Sequence, residues 1–244
     1  MWSSPVIRRL PVPVPGLAAP LRVVQLSDLH FGLVTPVAVL ARAVALALAE
    51  EPDCVVLTGD FVSRGRRHLG VLTETLRPLG GRALAVLGNH DHFVGGALVT
   101  RALSAAGIEV LANRWTRVGA LAVVGLDDRL TGHADAGLAT RGLAADTPAI
   151  GLAHDPGAAP ALWSRGVRVV LSGHTHGGQV HLPPITTGLH AVFGQVHLSG
   201  WNETPAGSVY VNAGLGSGAL PLRIGAPARR EVAVLHLRDV GRAG

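Results

Sequence analysis

The sequence predicts an α/β fold, with a mainly parallel sheet in the first part of the chain and a second, more antiparallel sheet after it. Three observations carry this reading. Short runs of Val, Leu and Ala bounded by Gly or Asp alternate with helical patterns, the rhythm of βαβ units. From Ile108 onward, most strand-like runs follow one another across short connections. Hydrophobic residues make up 48% of the 244-residue chain and charged ones 15%, a balance that excludes disorder and allows one sizeable core.

The elements follow in order. Residues 1–20 read as an extended edge segment. Arg8-Arg9 precede an apolar stretch as in an export signal, but Pro11, Pro13, Pro15 and Pro20 break it, so a mature cytoplasmic chain is expected. Leu21–Leu26 is the first buried strand. Thr35 is positioned to cap a helix with Pro36 at its first position, running Val37 to Ala49 and stopped by Glu50-Glu51-Pro52. Cys54–Leu57 and Ala83–Leu87 are the next strands, with helices expected over Arg66–Leu79 and Gly96–Ala106. Ala149–Ala153 and Val167–Leu171 have the same doubly buried pattern. Ile108–Leu111, Trp115–Val118, Leu121–Val124, Val180–Leu182, Ser208–Val211 and Glu231–Leu237 read as the second sheet. The segment Pro183–Gly207 reads as a long loop, either a lid whose Phe193 and Trp201 cover an apolar substrate or a loop packed on its own domain. No repeat or linker divides residues 1–244.

Composition narrows the function. A single cysteine, Cys54, excludes a disulfide framework and a cysteine-based zinc site. Aromatic residues at 4% are too few for a single-strand stacking platform. All 21 basic residues are arginine against 16 acidic ones, and apart from Arg8-Arg9, Arg64-Arg66-Arg67 and Arg229-Arg230 they are scattered. That pattern favours anionic partners in general and indicates no specific nucleic-acid partner. The most apolar stretch, Leu33 to Ala49, contains Pro36 and Arg42 and does not read as a membrane span.

The chemistry collects at strand ends. Five apolar runs end in Ser27-Asp28-Leu29-His30, Gly59-Asp60, Gly88-Asn89-His90-Asp91, His154-Asp155-Pro156 and Gly173-His174-Thr175-His176. Open α/β sheets bind ligands at the carboxyl ends of their strands. The metal-competent set is Asp28, His30, Asp60, Asn89, His154, His174 and His176. Imidazole with some oxygen and no thiolate suits Mn, Fe, Zn or Co, and suits neither a thiolate site nor an all-oxygen calcium site. These are too many donors for one ion, but with one bridging carboxylate they supply four to each of two. Such a pair, about 3.5–4 Å apart, clamps a phosphoryl group and activates water. The site stays net positive and attracts an anion.

In order and over most of the chain, SDLH, GD, GNHD, AHDP and GHTHGG resemble the calcineurin-like metallophosphoesterase superfamily. GHTHGGQV and the late PLRIGAP are similar to its bacterial branch of UDP-diacylglucosamine hydrolases and membrane-associated phosphodiesterases. The resemblance implies a four-layer αββα sandwich of two mixed sheets flanked by helices. It implies two divalent ions, manganese first and iron or zinc as alternatives. Asp28, His30, Asp60 and His176 would hold one ion, and Asp60, Asn89, His154 and His174 the other. It makes His90 the acid and Asp91 the carboxylate that orients it. The expected substrate is a phosphodiester or diphosphate, lipid-linked or nucleotide, with peripheral membrane contact as a corollary of the branch. A catalytically dead scaffold and a two-metal hydrolase of another bond are the rival readings. The Arg64, Arg66 and Arg67 cluster reads either as solvated charge or as a grip on substrate phosphate. Asp127, Asp128 and Asp155 read as turn or cap residues.

Overall fold

The computed structural model describes residues 4–32, 34–179, 198–217 and 222–239. In chain order its elements are β1 (Val6–Pro13), β2 (Leu21–Leu26), α1 (Val37–Ala49), β3 (Cys54–Thr58), α2 (Leu69–Leu76), β4 (Ala83–Val86), α3 (Asn89–Val94), α4 (Gly96–Ala105) and β5 (Glu109–Val110). There follow β6 (Arg114–Val118), β7 (Leu121–Leu126), α5 (Ala136–Ala139), β8 (Ala149–Ala153), α6 (Ala159–Trp163), β9 (Val169–Ser172), β10 (Gly200–Thr204), β11 (Gly207–Val211) and β12 (Glu231–Arg238). They form two six-stranded sheets, ordered β1-β12-β2-β3-β4-β5 and β10-β11-β9-β8-β7-β6.

Alternation along the strands builds the layers. Val23, Val56, Leu84 and Val86 of the first sheet meet Leu121, Val123, Ile150, Leu152 and Leu171 of the second in a core between the sheets. Their neighbours Val24, Val55, Leu57 and Ala85 point the other way, onto Leu40 and Val44 of α1, Leu72 and Leu76 of α2, and Val99 and Leu103 of α4. On the far side, Val124, Ala153 and Val170 pack against Ala139 of α5 and Leu162 and Trp163 of α6. Three cores between four layers explain why β3 and β4 carry apolar residues on both faces. The four-layer αββα sandwich expected from the motifs is thus the observed fold. Among the described residues no helix is long and apolar enough to cross a membrane.

Several local expectations need correction. The second sheet is less antiparallel than the pattern suggests, since only β10–β11 and β6–β7 are antiparallel while β11, β9, β8 and β7 run parallel. Sheet membership was the source of the error. β8 and β9 form the centre of the second sheet, β5 pairs with β4, and β12 lies between β1 and β2 in the first. The helix expected over Arg66–Leu79 is α2 flanked by two 3₁₀ turns, the second with Pro78 in its first turn. Thr35 does not cap α1, because its Oγ1 accepts the Ser217 N–H at 3.1 Å. Residues 1–20 do contain an edge strand, β1. Of the long loop, Gly200–Thr204 is a strand paired with β11, and the Trp201 side chain packs against the inter-sheet core near Tyr210. Val180–Leu182 and Phe193 lie outside the described residues.

Strands β2, β3 and β4 are parallel, as are β7, β8, β9 and β11, so each sheet gathers carboxyl ends at one edge. Gln25 in β2 ties the two edges together, its Nε2 donating to the Ser172 carbonyl of β9 at 2.9 Å. The loops beyond the strands stay paired, with Asp28 N–H to Gly59 O at 3.0 Å and Gly173 N–H to His154 O at 2.9 Å. This crowding requires Gly59, where φ is +85° and a Cβ would stand 2.7 Å from both Gly88 N and His154 Nδ1. Gly59→Ala is therefore expected to lower stability by on the order of 2–4 kcal/mol. The reading is a fall in urea midpoint at constant m-value; an unchanged midpoint would refute the crowding.

Candidate metal centre

The backbone aims the side chains before any of them makes a contact. Asp28 (φ 50°), His30 (47°), Asp60 (54°), His174 (73°) and His176 (53°) all adopt left-handed conformations at strand ends. Asp and His tolerate this region better than most residues, yet each instance stores strain that the surrounding structure must hold. In Asp28-Leu29-His30 and in His174-Thr175-His176, two such residues flank a buried one.

The structure brings all the metal-competent residues together. One group is Asp28, His30 and His176, and the other is Asp60, His154 and His174; within each group the donor atoms lie within 4.8 Å of one another. Asp60 links the two, its Oδ2 standing 3.3 Å from His154 Nε2 and 3.5 Å from His30 Nε2. Asn89 Oδ1 is 3.2 Å from His154 Nε2. Outer contacts select which ring nitrogen faces inward. The Thr58 carbonyl, 2.8 Å from His154 Nδ1, can only accept, so that nitrogen carries a proton and Nε2 is the nitrogen turned toward the cluster. Ser27 Oγ donates to Asp28 Oδ2 at 2.6 Å, and the His174 N–H reaches the same carboxylate at 3.0 Å.

Charge and burial bring most of the imidazoles to their ligating form. Burial pushes His30 down to about 3 and His174 to about 4, and it holds His176 well below the usual histidine range. Neutral imidazole is the form that binds a cation. Burial opposes a charge on His154 as well, but the Asp60 carboxylate beside it prevails and pushes it up to about 10. Burial would raise Asp60, yet the His154, His30 and His90 rings hold it well below the carboxylate range. Asp28 is pushed up to about 6 by burial, with the Asp60 charge adding. His30 Nδ1 is buried without a hydrogen-bond partner among the described residues.

His90 stands beside this cluster. Its backbone N–H donates to Asp60 Oδ1 at 2.9 Å, and its ring centroid is 5.1 Å from that of His30. Among the described residues, no hydrogen bond links the Asp91 carboxylate, expected to orient it, to the His90 ring. That carboxylate is fully buried and accepts three backbone amides, from Phe61 (2.9 Å), Val62 (3.2 Å) and Gly88 (2.9 Å). As the third residue of α3, Asp91 is drawn to the orphan N–H groups of the helix start. The Ser63 carbonyl holds the His90 ring instead, 3.1 Å from Nδ1. A main-chain oxygen carries no side-chain signature, so the sequence does not reveal it.

Arg223 was also missed. Its Nη2 donates to His176 Nδ1 at 2.7 Å, and its other bonds go to the carbonyls of Ala213, Gly216 and Ala228. The late PLRIGAP motif was the available signal. Arg64, Arg66 and Arg67 lie exposed on the turn before α2, and among the described residues none of them hydrogen-bonds to the cluster. Asp155 caps a 3₁₀ turn and also pairs with Arg129, and Asp128 accepts from Thr131 in a turn, whereas Asp127 pairs with His92 Nε2 at 2.8 Å across 35 residues.

The sequence profile described as calcineurin-like phosphoesterase matches residues 21–178. The chain is 31% identical over 230 residues to the phosphodiesterase YaeI of Escherichia coli, covering 90% of this chain and 83% of that one. It is 32% identical over 231 residues to the metallophosphoesterase YkuE of Bacillus subtilis, covering 89% and 79%. Among solved structures, a 5'-nucleotidase precursor from Thermus thermophilus superimposes with a TM-score of 0.55 at 18% identity, over 90% of this chain and 54% of that one; the likeness is one of fold.

The Asp91 contacts generate a prediction. Asp91→Asn turns a donor toward amides that need an acceptor, and its effect is expected on stability, about 1–3 kcal/mol. Chemical denaturation measures it. A variant as stable as the parent but slower in turnover would restore an orienting role for Asp91.

Proposed function

The chain belongs to the calcineurin-like phosphoesterase family, metal-dependent hydrolases of phosphoric esters, and we propose that it is a phosphodiesterase working with two divalent ions. The observation that carries this reading is the pair of donor groups meeting at Asp60. Asp28, His30, Asp60 and His176 would hold one ion, and Asp60, Asn89, His154 and His174 the other. Mixed imidazole and carboxylate donors with no thiolate suit manganese, iron, zinc or cobalt, and the family resemblance of the motifs puts manganese first. Two such ions supply Lewis-acid polarisation of a phosphoryl oxygen and lower the pKa of attacking water.

The remaining work falls to side chains. With the Ser63 carbonyl occupying Nδ1–H, the His90 Nε2 is the nitrogen available to protonate the leaving oxygen. Asp60 Oδ1 fixes the His90 backbone, so donor group and acid share one support. Arg64, Arg66 and Arg67, exposed on the segment after Ser63, would draw an anionic substrate in without entering the chemistry. The name of the Escherichia coli relative supports a diester as first choice; diphosphates and lipid-linked or nucleotide substrates complete the screen.

Three experiments test this. Elemental analysis after metal loading should give two ions per chain, both weakened by Asp60→Asn. His90→Asn should keep both ions and lose roughly 10²–10⁴ in rate on alkyl esters, with less loss on nitrophenyl esters, whose leaving group needs little proton. Loss of metal in the His90 variant, or wild-type rates on both esters, would overturn its role. Replacing Arg64, Arg66 and Arg67 together by Gln should raise KM more than it lowers kcat. An unchanged KM would return the cluster to ordinary surface charge.

A further inference from the structure

Phe93 has the largest exposure of any large hydrophobic side chain among the described residues, at 73%. The chain has only four Phe, four Trp and one Tyr, and Phe31, Phe61 and Tyr210 are almost wholly buried. An exposed aromatic ring is therefore unusual for this chain, and its position is specific. It lies three residues after His90 on α3, one turn along the same face. The two ring centroids are 6.0 Å apart with planes at 70°. His30, His90 and Phe93 thus form a contiguous row of rings leading outward from the donor cluster.

The support beneath the ring is rigid. Asp91, between the two, is fully buried and anchors the start of α3 to the amides of Phe61, Val62 and Gly88. The helix therefore presents Phe93 at a fixed place, and a ligand that covers it does not have to order a loop. A group leaving from the metal centre and taking its proton from His90 Nε2 would meet the Phe93 ring next.

We propose that Phe93 is a specificity-determining residue whose ring receives an aromatic portion of the leaving group, favouring phosphodiesters of aryl-bearing or nucleoside alcohols. The inference rests on the proposed phosphodiesterase reading and extends it to a substrate class. An aromatic partner is the chemistry the ring selects, because ring pairs gain from their quadrupoles beyond the area they bury. The contact is to the leaving alcohol and involves no change of covalent bonds.

The test uses metal-loaded protein and two methyl phosphodiesters with similarly basic leaving alcohols, 2-phenylethanol and propanol. The wild type is expected to prefer the phenylethyl ester in kcat/KM. Phe93→Ala should lower kcat/KM about ten-fold on that ester and markedly less on the propyl one, so that the preference collapses, while Phe93→Trp retains it. Calorimetry with 2-phenylethyl phosphate supplies a readout independent of turnover, and its affinity should fall in parallel. Equal losses on the two esters, or no loss on the phenylethyl ester, would overturn the proposal while leaving the hydrolase reading intact. Loss of vesicle binding with an unchanged ester ratio would assign the ring to a membrane surface and overturn it as well. A wild type that cleaves neither ester nor any other phosphodiester sinks the hydrolase reading and this one with it.

Discussion

Asp60 is the carboxylate on which the centre is built. It stands two residues beyond β3, adopts a left-handed φ of 54°, and uses each of its acceptors differently. Its carbonyl pairs with the His30 N–H, Oδ1 holds the His90 N–H, and Oδ2 faces His154 and His30. Moving it would separate the two donor groups and release the start of α3 together. The neighbourhood is shaped to prevent that. A Cβ at Gly88 would meet Asp60 Oδ1 at 2.3 Å, so this glycine is required by close approach. The arrangement accepts local strain to obtain a fixed geometry, a common trade at functional sites.

The two sheets bring complementary chemistry to their meeting edge. The first contributes Asp28, His30 and Asp60, and the second His154, His174 and His176. The carboxylates come from one sheet and most of the imidazoles from the other, so the interface joins oxygen and nitrogen donors as well as apolar faces. Beneath the cluster, Gln25 donates to Thr58 Oγ1, which donates to Ser27 Oγ, which donates to Asp28 Oδ2. This buried chain runs from the inter-sheet link to a carboxylate of the cluster.

The legibility of the sequence follows the range of the interactions. The bounds Val37 and Ala49 of α1 were readable because periodicity, Pro36 and Glu50-Glu51-Pro52 act within a few residues. The Thr35 cap was misread because Ser217, 182 residues away, takes its hydroxyl. Sheet membership of β8, β9 and β12 was hidden, since a strand buried on both faces reads alike in either sheet. The candidate donors were legible because each stands at a strand end beside a glycine or another polar residue. The Ser63 carbonyl was not, having no side chain to announce it, and Arg223, though it stands in the PLRIGAP motif, carries no local sign of its partner His176, 47 residues away.

The left-handed pairs at residues 28–30 and 174–176 face each other across 146 residues of sequence. A ribosome adding about 5–20 residues per second needs roughly 7–30 s to cover that distance. Up to residue 153 the candidate donors on the nascent chain are Asp28 and His30, joined by Asp60 and then Asn89, an oxygen-rich set with one imidazole. His154 follows late in the interval, and His174 and His176 close it. Oxygen donors suit magnesium, calcium and manganese, while imidazoles extend the range to iron and zinc. The donor order along the chain therefore places the oxygen-rich part of the candidate set first and leaves its imidazole-rich part, and with it the meeting of the two groups, to residues 154–176.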